Sequence, residues 1–157
     1  MSVVLRQVSH VGGTQVLHKM ERDIVAHPSL LLADDNPALL ETLIEMLEPT
    51  YRVAAALCNG ASVLERVSAL RPDLVILDIS LGDVTGFEVA RRLKDIACPA
   101  KIIFLSVHED VDFVNAAFGL GACGYVFKSR ITSDLTKAID IVFNGGQFAS
   151  IYSQWIH

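Results

Sequence analysis

Acidic, basic and hydroxyl side chains fall at the ends of short apolar runs in this chain. Leu74-Val75-Ile76-Leu77 ends on Asp78, and Leu30-Leu31-Leu32-Ala33 ends on Asp34-Asp35. Ile102-Ile103-Phe104-Leu105 ends on Ser106, and Tyr125-Val126-Phe127 ends on Lys128. An isolated buried carboxylate costs several kcal/mol or more. A strand that delivers one at its tip therefore argues for emergence into a crevice. Carboxylates gathered there repel, which raises their pKa or recruits a cation. Oxygen donors with no Cys or His among them suit Mg²⁺. An aspartate beside Mg²⁺ can act as a nucleophile toward phosphorus and form an aspartyl phosphate. A lysine and a hydroxyl would then hold the other phosphoryl oxygens. Each residue also has an ordinary explanation. Asp34 and Asp35 favour the helix N-terminus behind them, Ser106 suits a turn, and Lys128 suits an exposed surface. It is their joint placement that argues for function.

That placement depends on the elements. From Ser29 onward, β-rich runs alternate with segments of helical period. The strand candidates are 29–34, 51–57, 73–78, 101–106 and 123–128. Asn36 reads as a helix N-cap with Pro37 at the first helical position, and Leu40, Leu43, Ile44 and Leu47 form the stripe behind it. Val63, Val67 and Leu70 mark a second helix, and Phe87, Ala90, Leu93 and Ala97 a third. Val111, Val114 and Phe118 mark a short fourth. Ile131, Leu135, Ala138, Ile139 and Val142 mark a fifth, closed by Gly145-Gly146. Alternation of this kind predicts an α/β fold with a parallel sheet covered on both faces. Ligands of such sheets bind beyond the carboxyl ends of the strands, which is where the acids fall.

Composition narrows the function classes. The chain has 157 residues, 52% of them hydrophobic, enough for one domain with a full core. The formal net charge of −5 offers no basic field for nucleic acid or an anionic membrane. No apolar run approaches a membrane span, and the N-terminus lacks a secretory pattern. Cys58, Cys98 and Cys123 form no CxxC and read as small buried hydrophobes in a reducing compartment, consistent with a cytoplasmic protein. Residues 1–28 carry His10, His18 and His27 without metal-ligand spacing, and Met20 is an alternative start. They read as a mobile extension.

Residues 29–146 resemble the receiver domain of bacterial two-component response regulators. The motifs are "LLLADDNP", "DLVILDISLGDVTGFEVARRLK", "IIFLS" and "GACGYVFK". "AIDIVFNGGQFAS" resembles the last helix of receivers that precede a helix-turn-helix domain of the NarL/FixJ type. The resemblance implies a flavodoxin-like doubly wound five-stranded parallel sheet of order 2-1-3-4-5. It implies a phosphoacceptor at Asp78 and no conventional enzyme. It implies Mg²⁺ held directly by Asp35, by Asp34 through water, by Asp78 and by the backbone carbonyl of Ser80. Ser106 and Lys128 would meet the phosphoryl group, and Ser106 and Tyr125 would form the switch. Tyr125 is expected to turn inward from a more exposed rotamer on phosphorylation; its ordinary alternative is an edge-strand aromatic. A sensor histidine kinase or phosphotransfer protein is the implied partner, with homodimerisation on phosphorylation, no nucleic acid bound by this chain itself and no membrane.

Some positions depart from the family pattern. Gly82 replaces the usual proline and should free the loop after Asp78. Val107 follows Ser106 where a smaller residue is usual and would narrow the mouth. His108 stands where it would orient water, shield the phosphate or remain solvated. A haloacid-dehalogenase phosphatase would need an aspartate where Ser80 stands, and its nucleophile on the first strand. A flavodoxin-type FMN site would be repelled by "ADDNP". The alternative to a stand-alone receiver is the regulatory piece of a DNA-binding transcription regulator. Residues 147–157 then read as a tail or the start of a linker.

Overall fold

The computed structural model describes residues 27–151. Positions 1–26 and 152–157, including His10, His18, Met20 and most of the tail, lie outside the described residues. The elements run β1 (Ser29–Ala33), α1 (Pro37–Leu47), β2 (Arg52–Leu57), α2 (Gly60–Leu70), β3 (Leu74–Leu77) and α3 (Gly86–Asp95). They continue through β4 (Lys101–Ser106), α4 (Val111–Gly119), β5 (Gly124–Phe127), a 3₁₀ turn at Lys128–Arg130, α5 (Ile131–Phe143) and β6 (Phe148–Ala149). The sheet order is β2-β1-β3-β4-β5-β6 and every pairing is parallel. The expected order 2-1-3-4-5 is therefore present, with β6 added against β5.

Local chemistry accounts for most boundaries. The Asn36 side chain accepts from the amides of Ala38 and Leu39, and Pro37 follows at the first helical position, where a missing N–H costs nothing. Asn59 caps α2 through Ser62 N, and Thr85 caps α3 through Glu88 N. Beyond α5, Gly145 takes φ 95°, a conformation that glycine adopts without a Cβ penalty.

All four residues of β3 and five of the six in β4 are buried, as their unbroken apolar runs predict for doubly covered strands. One core layer holds Val63, Val67, Val89, Leu93 and Phe104, and the other holds Leu40, Leu43, Leu47, Leu135 and Ile139. The sheet divides the two layers because successive side chains point to opposite faces.

The structure corrects several expectations. Val111, the first residue of α4, is exposed, and the buried positions of the helix are Val114 and Ala117. Ala97 lies past the end of α3 with φ 54°, and Val89 takes a core place that the stripe omitted. None of the cysteines is fully buried: Cys58 is exposed, and Cys98 and Cys123 are half-buried at element ends. Among the described residues no helix is long and apolar enough to cross a membrane.

Candidate functional site

The strands place the acids together. Asp34 and Asp78 directly follow β1 and β3, which are hydrogen-bonded neighbours, so both emerge at the same sheet edge. Asp34, Asp35 and Asp78 each offer a carboxylate oxygen within 4.8 Å of the others. Asp34 and Asp78 are buried, while Asp35 is exposed. The Lys128 ammonium enters from the end of β5, 2.7 Å from Asp34 Oδ2 and 3.0 Å from Asp78 Oδ2. Three carboxylates thus face one ammonium, which leaves a surplus of negative charge if all are ionised.

The local hydrogen bonds are sparse. Asp34 Oδ1 accepts from Asn36 N at 2.9 Å, so this residue also supports the start of α1. Asp78 Oδ1 accepts from Ser80 N at 3.2 Å. Asp34 Oδ2 is buried and, although ion-paired with Lys128, receives no well-directed hydrogen bond. Burial pushes the Asp78 carboxyl above its ordinary value; the Lys128 hydrogen bond opposes this and the Asp34 charge adds to it. Burial also works to lower Lys128, but the two carboxylates outweigh it and hold the ammonium above its ordinary value. Surplus carboxylate oxygens, one poorly satisfied, fit a hard divalent cation with oxygen ligands.

Gly86 closes the floor of the site. Its amide donates to Ile79 O at 2.6 Å, and a Cβ there would lie 2.1 Å from the Asp78 carbonyl oxygen, so only glycine fits. The loop before it is more fastened than Gly82 suggested. Gly82 has φ 84°, which proline cannot adopt, yet Ser80 pairs with Thr85 across the loop.

Ser106 is fully buried at the end of β4, one strand from Asp78. Its Oγ accepts from His108 N at 3.0 Å, so the hydroxyl oxygen is engaged by the following loop. Tyr125 is not the edge-strand aromatic of its ordinary reading. β5 is not an edge strand, because β6 pairs with it, and the Tyr125 ring is fully buried against Phe104 and Phe127. Its hydroxyl donates to the His108 carbonyl at 2.6 Å. Tyr125 thus occupies the inward rotamer in this structure. His108 stacks on Phe113, ring centroids 4.1 Å apart, and Val107 is exposed at the mouth.

Two features escaped the sequence reading. Asp83 binds the first amides of α2, and Asp134 binds Ser150 beyond β6. Neither sits at a strand end or in a periodic stripe, so nothing local marks them.

Comparison with known proteins agrees with this geometry. Residues 30–140 match the family described as the response regulator receiver domain. The chain is 30% identical over 121 residues to the transcriptional regulatory protein DegU of Brevibacillus brevis, covering 76% of this chain and 51% of that one. It is 32% identical over 114 residues to the nitrate/nitrite response regulator NarL of Escherichia coli K12, covering 71% and 52%. A crystal structure of a LuxR-family two-component response regulator from Aurantimonas sp. SI85-9A1 superposes with a TM-score of 0.75 at 28% identity, covering 78% of this chain and 89% of that one. This chain spans about half the length of the curated relatives. With the receiver family matched over most of its length, the fold of that family and its acidic pocket in place, the chain belongs to the response regulator receiver domains, the phosphoacceptors of two-component signalling.

Proposed function

We propose that Asp78 accepts a phosphoryl group from the phosphohistidine of a sensor histidine kinase or phosphotransfer protein. An Asp78 carboxylate oxygen forms the new bond to phosphorus as the bond to the imidazole nitrogen breaks. The observation that carries this reading is the buried Asp78 carboxylate beside Asp34, with Lys128 Nζ 3.0 Å away and its pKa raised. Asp35 would hold Mg²⁺ directly, Asp34 through water, and Asp78 and the Ser80 carbonyl would complete the protein ligands. When bound, the cation neutralises charge on the transferring phosphoryl group. Phosphorylation replaces the carboxylate charge of Asp78 with that of the phosphoryl oxygens and leaves Lys128 able to pair with one of them. Ser106 turns its hydroxyl from His108 N toward the phosphoryl group.

The phosphoryl group would favour the packing in which Tyr125 is inward. The switch is then a population shift whose size depends on how strongly the phosphoryl group prefers one packing. Its readout is partner binding or homodimerisation in the cytoplasm. Asp78→Asn should abolish Mg²⁺-dependent, hydroxylamine-sensitive labelling by a phosphorylated kinase. Equal labelling of the variant overturns the assignment.

The longer transcriptional regulators among its relatives favour a second reading of output, in which this receiver is the regulatory piece of a DNA-binding protein. Its net charge of −5 assigns nucleic-acid contact to an effector outside these residues. Gel-shift measurements with this chain alone should show no DNA binding, phosphorylated or not.

A further inference from the structure

The loop from Ser80 to Thr85 leaves the phosphoacceptor strand directly and is held at both ends. Ser80 N donates to Asp78 Oδ1 at 3.2 Å, so the position of the loop sets the orientation of the Asp78 carboxylate. Ser80 and Thr85 pair across it, and Gly86 N is bonded to Ile79 O. Between these ends Gly82 is a pliable point: its φ is 84°, and a Cβ there would meet nothing within 4 Å.

Asp83 anchors the loop from outside. Its Oδ1 accepts from Gly60 N and its Oδ2 from Ala61 N, each at 3.0 Å. Both amides belong to the first turn of α2, and they hold the Asp83 carboxyl below its ordinary value. Val84 packs on Gly60 so closely that a Cβ on Gly60 would lie 2.3 Å from Val84 Cγ2. The next amide of α2, Ser62 N, is already capped by Asn59 at 2.8 Å. The helix thus has its own local cap, and the Asp83 carboxylate reaches it from more than twenty residues along the chain. The clamp restrains a loop that glycine at position 82 would otherwise leave free.

We infer that Asp83 is a positioning residue for the phosphoacceptor site, anchoring residues 80–85 on α2 so that Ser80 orients the Asp78 carboxylate and presents its carbonyl to the cation. This rests on the reading of Asp78 and Mg²⁺ given above. It extends that reading to a residue that touches neither cation nor phosphoryl group.

Asn59 supplies the control, because its side chain caps the same helix end through Ser62 N rather than through the loop. Mg²⁺ affinity, by calorimetry, and phosphorylation rate with a small-molecule phosphodonor are to be compared in wild type, Asp83→Ala, Asp83→Asn and Asn59→Ala. Removal of a supporting partner commonly costs about 10-fold in metal affinity or activity, and a loss of that order is expected for D83A. D83N keeps one acceptor oxygen and should recover part of it. N59A should lower the melting temperature and leave Mg²⁺ affinity unchanged. If D83A and N59A both lose thermal stability while Mg²⁺ affinity and rate stay at the wild-type level, Asp83 is only a helix cap and the inference is overturned. A wild-type chain that binds no Mg²⁺ would instead overturn the reading of the site, and the inference with it.

Discussion

Asp78 and Asp134 are both 4% exposed, yet their surroundings treat them in opposite ways. Asp134, in the first turn of α5, accepts from Arg130 Nε at 2.9 Å, Ser133 Oγ at 2.9 Å and Ser150 Oγ at 2.6 Å. Burial works against its charge, but these donors outweigh burial and hold its pKa below the ordinary value. Asp78 shares one ammonium with Asp34, and burial leaves its pKa raised. Asp134 is a satisfied carboxylate with a structural task. It fixes Ser150, whose Oγ also accepts from Phe127 N and whose own amide donates to Tyr125 O. Ser150 is thereby tied to the strand that carries Tyr125 and leads into Lys128. Asp78 lies in a pocket where negative charge outruns its compensation, which suits a cation and an incoming electrophile. Burial alone does not mark a functional acid; the balance of donors around it does.

The sharpest way to break this contrast is to remove the cation from each pocket. Lys128→Met leaves two buried carboxylates without their shared partner and should cost about 2–4 kcal/mol in metal-free buffer. Saturating Mg²⁺ should restore part of that by binding the native state. Arg130→Met should cost less, because the Arg130 side chain is 48% exposed and two hydroxyl donors remain on Asp134. Urea melts of both variants, with and without Mg²⁺, check the ranking. Equal losses, both insensitive to Mg²⁺, would remove the distinction.

The pH dependence should differ in sign. In the fold Asp78 binds its proton more tightly than in the unfolded chain. Stability therefore falls as pH rises from the ordinary 3.8 through the raised value, and the loss is complete above it. D78N removes that titration and should be more stable than wild type at neutral pH without metal, an advantage that shrinks as pH falls through the raised value toward 3.8. Asp134 is held below 3.8, so its contribution is present above that pH and is lost as pH falls through the lowered value. D134N should be less stable at neutral pH, with the gap closing on acidification. Melting curves from acid to neutral pH that move the two variants in the same direction would refute the comparison.

The smallest effect belongs to Asp35, which is exposed. Asp35→Asn should change metal-free stability by less than about 1 kcal/mol, upward through relief of repulsion. It should also reduce the rise in melting temperature produced by millimolar Mg²⁺. A full Mg²⁺ response in D35N would place the cation elsewhere in the pocket.

What the sequence determined by itself was the order of the elements and the edge at which the acids emerge. These follow from local signals: the apolar run Leu74–Leu77 ending on Asp78, Asn36 followed by Pro37, and the stripe from Leu40 to Leu47. Strand ends in a parallel sheet share one edge, so Asp34, Asp78, Ser106 and Lys128 were legible as neighbours before any coordinates. Tertiary structure decided what those signals do not encode. β6 is a two-residue strand, too short to show a period, and it turned Tyr125 from an edge residue into a fully buried one. The Asp83 anchor on α2 and the Asp134–Ser150 bond join groups far apart in the chain. Whether such a carboxylate finds donors depends on how the helices and loops pack on the sheet. Spacing says which groups can share an edge, and packing decides which charges there are satisfied and which are left to bind something else.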